Sequence, residues 1–532
     1  MVSAVLFITF FVLLVLNVPI SVCLGLSSAA AILYSGTSLT IVATNIYSGI
    51  SKFLLLAIPF FVLSGNIMAK AGISTRLIRF VDTCVGHRKG GIANVCIIVA
   101  CFFGAISGSG PATVAALGAV LIPAMIERGG FSAAFSTALM ATSSSIAIVI
   151  PPSIAFVVYA SITGVSIGDM FMAGIIPGIL MGLALVVVVM LEVRRNHVVP
   201  SNVEKASAKE RWNAFKDAFW GFLMPVIILG GIYGGIFTPT EAAAVSVVYG
   251  LFVGMIIYKE VKFKDLWEIL IDSAKTTGGI MLIVACASLF SFVCTRFGIS
   301  TAASELLARV AGNQFTFLLI CNIIFLIAGC FIDANSAMYI FIPIMLPVCK
   351  ALGYNVIAFG IMATVNLAIG QVTPPVGVNL FVAIGIKLRD GIRVTLQEIS
   401  RAVVPMVAAS IVVLLIITYI PQISTCLPAA LGSAAAIENG ETAGGDSGTT
   451  QTDNDDFNTI GDYSDLDWAD MTWNFTCSTT ETSTWAQAGR KFGELMEQAT
   501  GGKVKVDVYA ADQLTGGNQS EGIQALMNGD PV

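Results

Sequence analysis

The stretch GAISGSGPATVAALGAVLIPAM, residues 104–125, carries the pattern on which the fold depends. It is apolar at both ends, but SGSGP at residues 107–111 interrupts the middle with small and polar residues that break a helix. Non-helical backbone at membrane depth persists only where protein or a cavity covers its polar groups. We therefore predict that residues 91–126 form a re-entrant hairpin, which enters and leaves a membrane on the same side.

The composition of the whole chain supports a membrane location. Of the 532 residues, 56% are hydrophobic and 11% are charged, and the mean hydropathy is +0.86. A soluble protein needs a more highly charged surface, so this balance indicates a membrane protein surrounded by lipid. Residues 426–532 hold 17 of the 33 acidic residues. The net charge of −5 therefore belongs to the tail, and it gives no reason to expect a nucleic-acid partner.

Apolar runs of about 20 residues, the length of a spanning helix, recur along the chain. A second broken stretch, 314–349, is predicted to form another re-entrant hairpin. Twenty Lys and Arg residues fall in the loops of one side and four in those of the other, so the positive-inside rule places both termini outside the cytoplasm. The ten predicted spans are residues 3–17, 19–35, 53–70, 131–162, 170–192, 217–236, 241–258, 276–296, 355–386 and 402–421.

The sequence contains two copies of one design, at about residues 1–195 and 215–425. GIST at 72–75 returns at 298–301, MAT returns 222 residues after its first occurrence, and the Pro-Pro pair returns after 223. Each half holds five predicted spans and one hairpin, and an odd number of spans inverts the second copy. Inverted repeats with broken helices at matching places are typical of secondary transporters, so we predict an all-α, inverted-repeat transporter.

The two halves supply four oxygen-rich breaks, at residues 107–111, 151–153, 329–336 and 373–377. Glycine and proline release backbone carbonyls from helix pairing, and a cluster of neutral oxygens suits a hard, weakly bound cation such as sodium. Helix N-termini facing the same cavity would favour a carboxylate. The predicted sodium and substrate site comprises Ser107, Gly108, Ser109, Ser145, Pro151, Ser153, Asp333, Asn335, Asn366, Thr373, Pro374 and Gly377.

Each break also has a simpler structural interpretation. The SGSG segment could be only a packing notch or a hairpin turn, Asp333 could only cap the helix that follows it, and a proline pair could only kink a helix. Because both kinds of break occur twice at matching places, we favour the site interpretation for the two regions. For Glu241, at the start of a predicted helix, we favour N-terminal capping over a role in transport.

The sequence gives no support to several other kinds of chemistry. Nine cysteines, from Cys23 to Cys349, lie in or beside apolar runs and are interpreted as small buried side chains. His87 and His197 fall in predicted loops, so no transition-metal centre is expected. A phosphate loop is missing, and so is any nucleophile–base pattern. We therefore expect neither ATP hydrolysis nor another enzymatic activity, and no cofactor besides a coupling sodium ion.

Four motifs in a fixed order carry a resemblance to a known family. They are GAISGSGPATVAALGAVLIPAM, SSSIAIVIPPS, GIFTPTEAAAV and NLAIGQVTPPVG. Together they resemble the large membrane subunit of tripartite ATP-independent periplasmic (TRAP) transporters, over about residues 1–425. The resemblance implies a multi-pass protein of the bacterial cytoplasmic (inner) membrane. It also implies an elevator-type carrier, in which a scaffold stays fixed while a transport domain containing both hairpins moves.

The same resemblance implies the coupling ion, the partners and the cargo. It implies symport driven by a sodium gradient, with a small four-helix membrane subunit and an extracytoplasmic substrate-binding protein, and without an ATPase subunit. The implied cargoes are C4-dicarboxylates, sialic acids and other organic acids. Carried over by motif, the sodium ligands come from Ser107 to Ser109 with the Pro151 break, and from the Asp333 region with Thr373 to Gly377.

The tail departs from that pattern. Residues 427–470 are rich in Ala, Gly, Ser, Thr and Asp and are predicted to form a flexible acidic linker. Beyond it we predict a strand at 471–476, an amphipathic helix at 484–500 and a second strand at 503–509. This short α/β fragment, within 471–532, resembles the opening of a TRAP substrate-binding protein. We expect a fusion to an incomplete binding domain, since so short a fragment cannot bury a stable core.

Two other functions are considered. A self-sufficient ion-coupled carrier or antiporter would need no binding protein. The tail, which resembles the opening of a binding protein, argues against this alternative. A membrane anchor that presents a receptor domain would need only one span, and ten spans with paired breaks exceed that need.

Overall fold

The computed structural model describes residues 2–16, 18–195, 205–388, 394–432, 471–477, 484–500 and 503–510. The chain divides into two compact units, Met1–Gly445 and Asp446–Val532. The first unit is built from helices. The second contains the two strands and one helix described below.

The first half of the helical unit begins with two short apolar helices and ends with one long one. A 3-10 turn at Phe53–Leu56 precedes its fourth helix, and another at Ile146–Ile148 follows its eighth. The helices are α1 (Val2–Val15), α2 (Ile20–Tyr34), α3 (Thr40–Ile50), α4 (Ala57–Lys70), α5 (Ile73–Val85), α6 (Gly91–Ser107), α7 (Gly110–Glu127), α8 (Ala133–Ser145), α9 (Ile154–Thr163) and α10 (Ile167–Arg195).

The second half begins with a helix of 26 residues and ends with helices of 24 and 9 residues. A π-helical turn at Phe252–Ile257 extends its second helix. The helices are α11 (Ala208–Tyr233), α12 (Pro239–Leu251), α13 (Asp265–Arg296), α14 (Ile299–Ala311), α15 (Gln314–Phe331), α16 (Ala334–Ala351), α17 (Val356–Gly370), α18 (Val378–Ile384), α19 (Leu396–Tyr419) and α20 (Gln422–Ala430).

The prediction of an all-α protein with many membrane spans is confirmed. Within the described ranges, nine helical segments are long and apolar enough to cross a membrane. Six of them match predicted spans, and the other three are hairpin helices, namely α7, α15 and α16. Predicted spans 3–17 and 19–35 form helices of 14 and 15 residues. Predicted spans 131–162 and 355–386 are interrupted helices, as their proline pairs indicate.

Four helices lie outside both the predicted spans and the predicted hairpins, namely α3, α5, α14 and α20. The repeat explains two of them, because each GIST copy marks the start of a matching amphipathic helix. Gly72 precedes α5 with φ 68°, and Gly298 precedes α14 with φ 68°. Only glycine adopts such a left-handed conformation without strain, so each copy begins at a position that requires this residue.

Ion pairs join the two halves near the ends of α4 and α5. Arg76 Nη2 lies 2.6 Å from Glu260 Oε1, and the Arg76 guanidinium also stacks over the Tyr258 ring. Lys70 Nζ lies 3.1 Å from Glu268 Oε2 at the start of α13. These basic residues belong to the side that the charge count assigns to the cytoplasm. The pairs are solvent-exposed, so each contributes little stability, about 0–1 kcal/mol.

The two halves also interlock around their breaks. α18, which follows the second proline pair, packs against α7 and α8 of the first half. α16 packs against α9, which follows the first proline pair. The residues that follow each break therefore contact a hairpin of the other half.

The second unit has a β-α-β order. β1 (Met471–Cys477) pairs in parallel with β2 (Val504–Ala510), and Met471 lies opposite Val504. The connecting helix, α21 (Thr484–Ala499), packs against β2. Both predicted strands and the predicted helix are observed within one or two residues of their bounds. The linker begins later than expected, because α20 continues to Ala430, and residues 433–470 lie outside the described residues.

Candidate functional site

The first hairpin turns at residues 107–110, between two helices. α6 ends at Ser107, Gly108 takes the left-handed conformation with φ 60°, and α7 begins at Gly110. Ser107 Oγ lies 2.8 Å from Thr113 Oγ1, and the Thr113 hydroxyl also lies 2.8 Å from the Ser109 carbonyl oxygen. The Ser109 side chain makes no capping hydrogen bond to α7. The turn therefore gathers hydroxyl and carbonyl oxygens at a helix N-terminus that its own N-cap side chain does not cover.

The helix break of the first half lies directly beside this turn. After α8 ends, the chain passes through Pro151 and Pro152, and Ser153 Oγ donates to the Ile148 carbonyl over 2.5 Å. A methyl group placed on Gly108 would lie 3.0 Å from the Pro152 carbonyl oxygen. The hairpin tip and the proline break predicted to meet are thus in contact.

The second hairpin turns at Asp333. Its Oδ2 accepts hydrogen bonds from the N–H groups of Asn335 and Ser336, at 3.0 and 3.2 Å, and the Ser336 hydroxyl donates to Oδ1. The capping interpretation of Asp333 is therefore confirmed. Asn335 Oδ1 is buried, and none of the described residues offers it a hydrogen bond.

The helix break of the second half lies beside the second hairpin. The Gly377 N–H donates to the Cys330 carbonyl at 3.3 Å, and the Thr373 hydroxyl donates to the Ile369 carbonyl at 2.7 Å. Just before the break, a methyl group placed on Gly370 would lie 2.5 Å from the Gly329 Cα. The backbones of hairpin and broken helix thus touch, which requires glycine on both sides.

The first hairpin also meets the second half, and this contact joins the two halves at their breaks. A methyl group placed on Gly110 would lie 2.8 Å from Asn379 Nδ2, 2.9 Å from Gln371 Oε1 and 3.0 Å from Asn379 Oδ1. Gln371 is 6% exposed and Asn379 is fully buried. The predicted site did not include these two residues. The only signal for Gln371 was a polar residue inside an apolar run next to the proline pair.

Two predicted site residues lie in other local networks. The Asn366 amide donates to Asn322 Oδ1 at 2.6 Å, and Asn322 in turn donates to Thr418 Oγ1 at 3.3 Å. The Ser145 hydroxyl donates to the Thr142 carbonyl of its own helix at 2.8 Å. Asn366 thus links α17 to α15 and α19, and its hydrogen bonds do not bring it to the hairpin tips.

Neutral groups dominate this region. Across the part of the chain that the structure describes, no Lys, Arg, Asp or Glu is fully buried, and the buried polar residues are Ser, Thr, Asn and Gln. Within the same ranges, no cluster of three or more His, Cys, Asp or Glu residues could hold a metal ion. Neutral oxygens of this kind suit a weakly bound hard cation, and helix N-termini suit a carboxylate.

Glu241 and Lys52 have structural roles outside the breaks. The Glu241 carboxylate accepts from the Thr238 N–H at 2.8 Å in a capping box, which confirms the capping prediction. Lys52 Nζ donates to the Ser161 carbonyl at 2.6 Å, near the end of α9. Burial lowers the pKa of the Lys52 ammonium.

Most of the chain is similar in sequence to known transport proteins. A family model described as "Tripartite ATP-independent periplasmic transporter, DctM component" matches residues 7–423. The chain is 38% identical over 436 residues to a C4-dicarboxylate TRAP transporter large permease protein of Rhodobacter capsulatus, covering 79% of this chain and 97% of that protein. It is 40% identical over 420 residues to an isethionate TRAP transporter permease of Oleidesulfovibrio alaskensis, covering 79% and 65%.

A solved structure resembles the fold. The YdaH transporter of Alcanivorax borkumensis superposes with a TM-score of 0.51 at 15% identity, covering 74% of this chain and 88% of that one. At this identity, the likeness concerns the fold alone.

Proposed function

The chain belongs to the DctM-component family of TRAP transporters and is a large permease subunit, and from this premise we propose that it imports a small organic acid together with sodium. The observation that carries the proposal is the meeting of each hairpin tip with the proline break of its own half. A transporter of this kind is not an enzyme, and its site needs to bind and release its cargo unchanged.

The proposed sodium sites lie at the two contacts between hairpin and break. In the first, the proposed ligands are hydroxyl and carbonyl oxygens of Ser107, Ser109 and Ser153, next to the Pro151 break. In the second, they are oxygens of Thr373 and of the backbone up to Gly377, whose N–H donates to the Cys330 carbonyl of α15. A sodium ion needs about five or six oxygens at once, and no single turn supplies them. The contact of two broken segments therefore supports a cation site better than either segment alone.

The proposed cargo is an organic acid of the size carried by C4-dicarboxylate and isethionate permeases, the relatives named above. The N-terminus of α7, a helix of 18 residues, lies at the first hairpin tip, is not capped by a side chain and would stabilise a carboxylate or sulfonate. The proposed partners are a small membrane subunit and an extracytoplasmic binding protein. The β1-α21-β2 unit is proposed to be the opening of a binding-protein fold joined to the permease.

Reconstitution tests this function. Proteoliposomes that contain the full-length chain, its small membrane subunit and a loaded binding protein should accumulate labelled C4-dicarboxylate or isethionate under an inward sodium gradient. Omission of either partner should reduce accumulation to that of empty vesicles. Uptake that persists without both partners would instead identify a self-sufficient carrier. No uptake of either acid with all components present would contradict the proposal.

The location of the C-terminal unit is a separate prediction. The charge bias places both termini outside the cytoplasm, and a binding domain must meet its substrate there. Alkaline phosphatase fused after residue 470 should therefore be active, and green fluorescent protein fused at the same point should remain dark. Fusions after residue 264, in a predicted cytoplasmic loop, should behave in the opposite way and serve as the control. The reverse pattern would overturn the orientation.

A further inference from the structure

We propose that the basic ends of α11 and α13 bind the headgroups of anionic phospholipids. This inference concerns the outer surface of the helical unit and depends on neither the cargo nor the coupling ion. Two patches form the binding surface, and each combines two lysines with one or two exposed aromatic side chains. The α11 patch consists of Lys209, Trp212 and Lys216, and the α13 patch consists of Lys262, Phe263, Lys264 and Trp267.

Two ion pairs place both patches at the border of the predicted spans. Lys70, the last residue of α4, pairs with Glu268 at 3.1 Å, and Glu268 directly follows the α13 patch. Arg79 pairs with Asp217 at 3.4 Å, and Asp217 directly follows the α11 patch. Predicted span 53–70 ends at the first of these pairs, and predicted span 217–236 begins at the second. Both patches therefore lie at the level expected for lipid headgroups.

The aromatic side chains of the two patches are open to the surroundings. Trp212 is 56% exposed, Phe263 is 81% exposed and Trp267 is 72% exposed. The same face of α11 continues from Trp212 to the exposed side chains of Phe219 and Val226, at intervals of seven residues. Tryptophan is enriched at the level of the headgroups, where one side of its ring is apolar and the other is wet. A face that runs from a tryptophan to apolar side chains is therefore typical of contact with lipid.

The lysines of the patches differ from other basic residues at the same border. Lys70, Arg76 and Arg79 each contact a carboxylate. Among the described residues, none of the four lysines in the patches forms an ion pair, and all four are exposed. Lys216 instead lies over the ring of Trp212, with its Nζ 5.5 Å from the ring centroid. Positive charge without a carboxylate partner is thus concentrated beside the exposed aromatic rings.

The carboxylates of this border do not neutralise its positive charge. Segments 70–79, 205–217 and 259–268 together hold ten Lys and Arg residues and five Asp and Glu residues. Three of the five carboxylates belong to the ion pairs of Lys70, Arg76 and Arg79. The other two accept hydrogen bonds at the starts of helices, Glu210 from the Ser207 N–H and Asp265 from the Lys262 N–H. The excess of positive charge is therefore available to an external anion.

An anionic phospholipid fits the patches better than a zwitterionic phospholipid or a protein. Its phosphodiester only accepts hydrogen bonds, and the ammonium groups of the lysines only donate them. The cationic group of a zwitterionic headgroup would oppose the lysines, whereas each lysine near an anionic membrane surface strengthens binding. Lysine is depleted in the cores of protein interfaces, and here lysines alternate with the aromatic rings. The chemistry of the patches therefore points to a lipid headgroup with net negative charge.

Quenching of tryptophan fluorescence by brominated lipids tests the proposal. The purified full-length chain is reconstituted in mixtures of phosphatidylglycerol and phosphatidylcholine, and one of the two lipids carries bromine near the top of its acyl chains. Trp212 and Trp267 report on the two patches. Phosphatidylglycerol should bind beside them about fivefold or more tightly than phosphatidylcholine, because each lysine attracts an anionic lipid.

Removal of the lysine charges should abolish this preference. A variant with Lys209→Gln, Lys216→Gln, Lys262→Gln and Lys264→Gln should bind the two lipids with a ratio near one, and each pair of changes alone should lower the ratio in part. Lys350→Gln removes an exposed lysine from the side that the charge count assigns to the exterior, so it should leave the ratio unaltered. Because all five lysines are exposed, the variants should keep the melting temperature of the unaltered chain.

Several results would overturn the proposal. The first is equal quenching by the two brominated lipids in the unaltered chain, and the second is a preference that survives all four lysine changes. A preference that remains after Trp212→Phe and Trp267→Phe would place the lipid elsewhere on the protein. If addition of the small membrane subunit prevents quenching by both lipids, the surface belongs to that subunit. None of these results bears on the proposed transport of an organic acid.

Discussion

Replacement of Ser107 and Ser109 by alanine is expected to raise the sodium concentration for half-maximal uptake by about tenfold or more. Hydrogen bonds and contacts to a charged partner contribute about 1.5–3 kcal/mol each, and 1.4 kcal/mol corresponds to a factor of ten. Ser107 ends α6 and Ser109 precedes α7, on either side of Gly108, which lies against the Pro152 carbonyl. Thr373→Val, which keeps the shape but removes the hydroxyl at the second break, should act in the same direction.

The measurement is initial uptake into proteoliposomes as sodium is varied and choline holds the ionic strength constant, at a fixed membrane potential. For the unaltered chain, complete replacement of sodium should reduce uptake to background. Ser48→Ala, a serine on the exposed face of α3, is the matched control and should not shift the curve. Uptake by the unaltered chain that survives in choline would end the sodium proposal. If the sodium dependence of uptake is unchanged in the double variant, the first hairpin does not contribute to sodium binding.

Gly370→Ala is expected to abolish uptake and to lower the melting temperature of the purified chain. The added methyl would lie 2.5 Å from both Gly329 Cα and the Gly329 carbonyl carbon, so it would meet backbone atoms that cannot rotate away. Overpacking of this kind costs about 1–3 kcal/mol even where side chains can adjust. The second hairpin would be displaced from its break, and the proposed second sodium site would lose its geometry.

Gly278→Ala is the control for that substitution, because it makes the same change within helix α13. A methyl group there meets no atom within 4 Å, and alanine favours a helix by up to about 1 kcal/mol over glycine. The control should therefore keep its uptake and its melting temperature. Normal uptake by Gly370→Ala would show that the backbone contact between hairpin and break is not needed for transport.

The sequence predicted the breaks because they are local features. Gly108, Pro151 and Gly377 interrupt helices through their own backbone chemistry, and repetition at matching places made the interruptions conspicuous. Asp333 likewise caps the next helix through neighbours two and three residues away. Features formed by neighbouring residues can be predicted from residue type and spacing along the sequence. For these features the structure adds only the interatomic distances.

The contacts across the two halves were beyond such reasoning. Gln371 lies beside Gly110, more than 250 residues earlier in the chain, and no local pattern records that approach. Within the second half, the Asn366 N–H donates to Asn322 on another helix, which spacing did not indicate either, and its Oδ1 has no hydrogen-bond partner among the described residues. The helices α5 and α14 were missed for a different reason: their polar faces interrupt the apolar runs by which spans are recognised.

The contact between Gly329 and Gly370 has a mechanical consequence. Where two backbones touch, no side chain can change its rotamer to widen the gap, and close-packed main chain resists compression. The second hairpin and the broken helix beside it should therefore be stiff as a pair, and a displacement of one should carry the other with it. An ion bound at their junction would therefore move together with both segments. Its release would require that the intact junction become exposed to water, because the two segments do not separate.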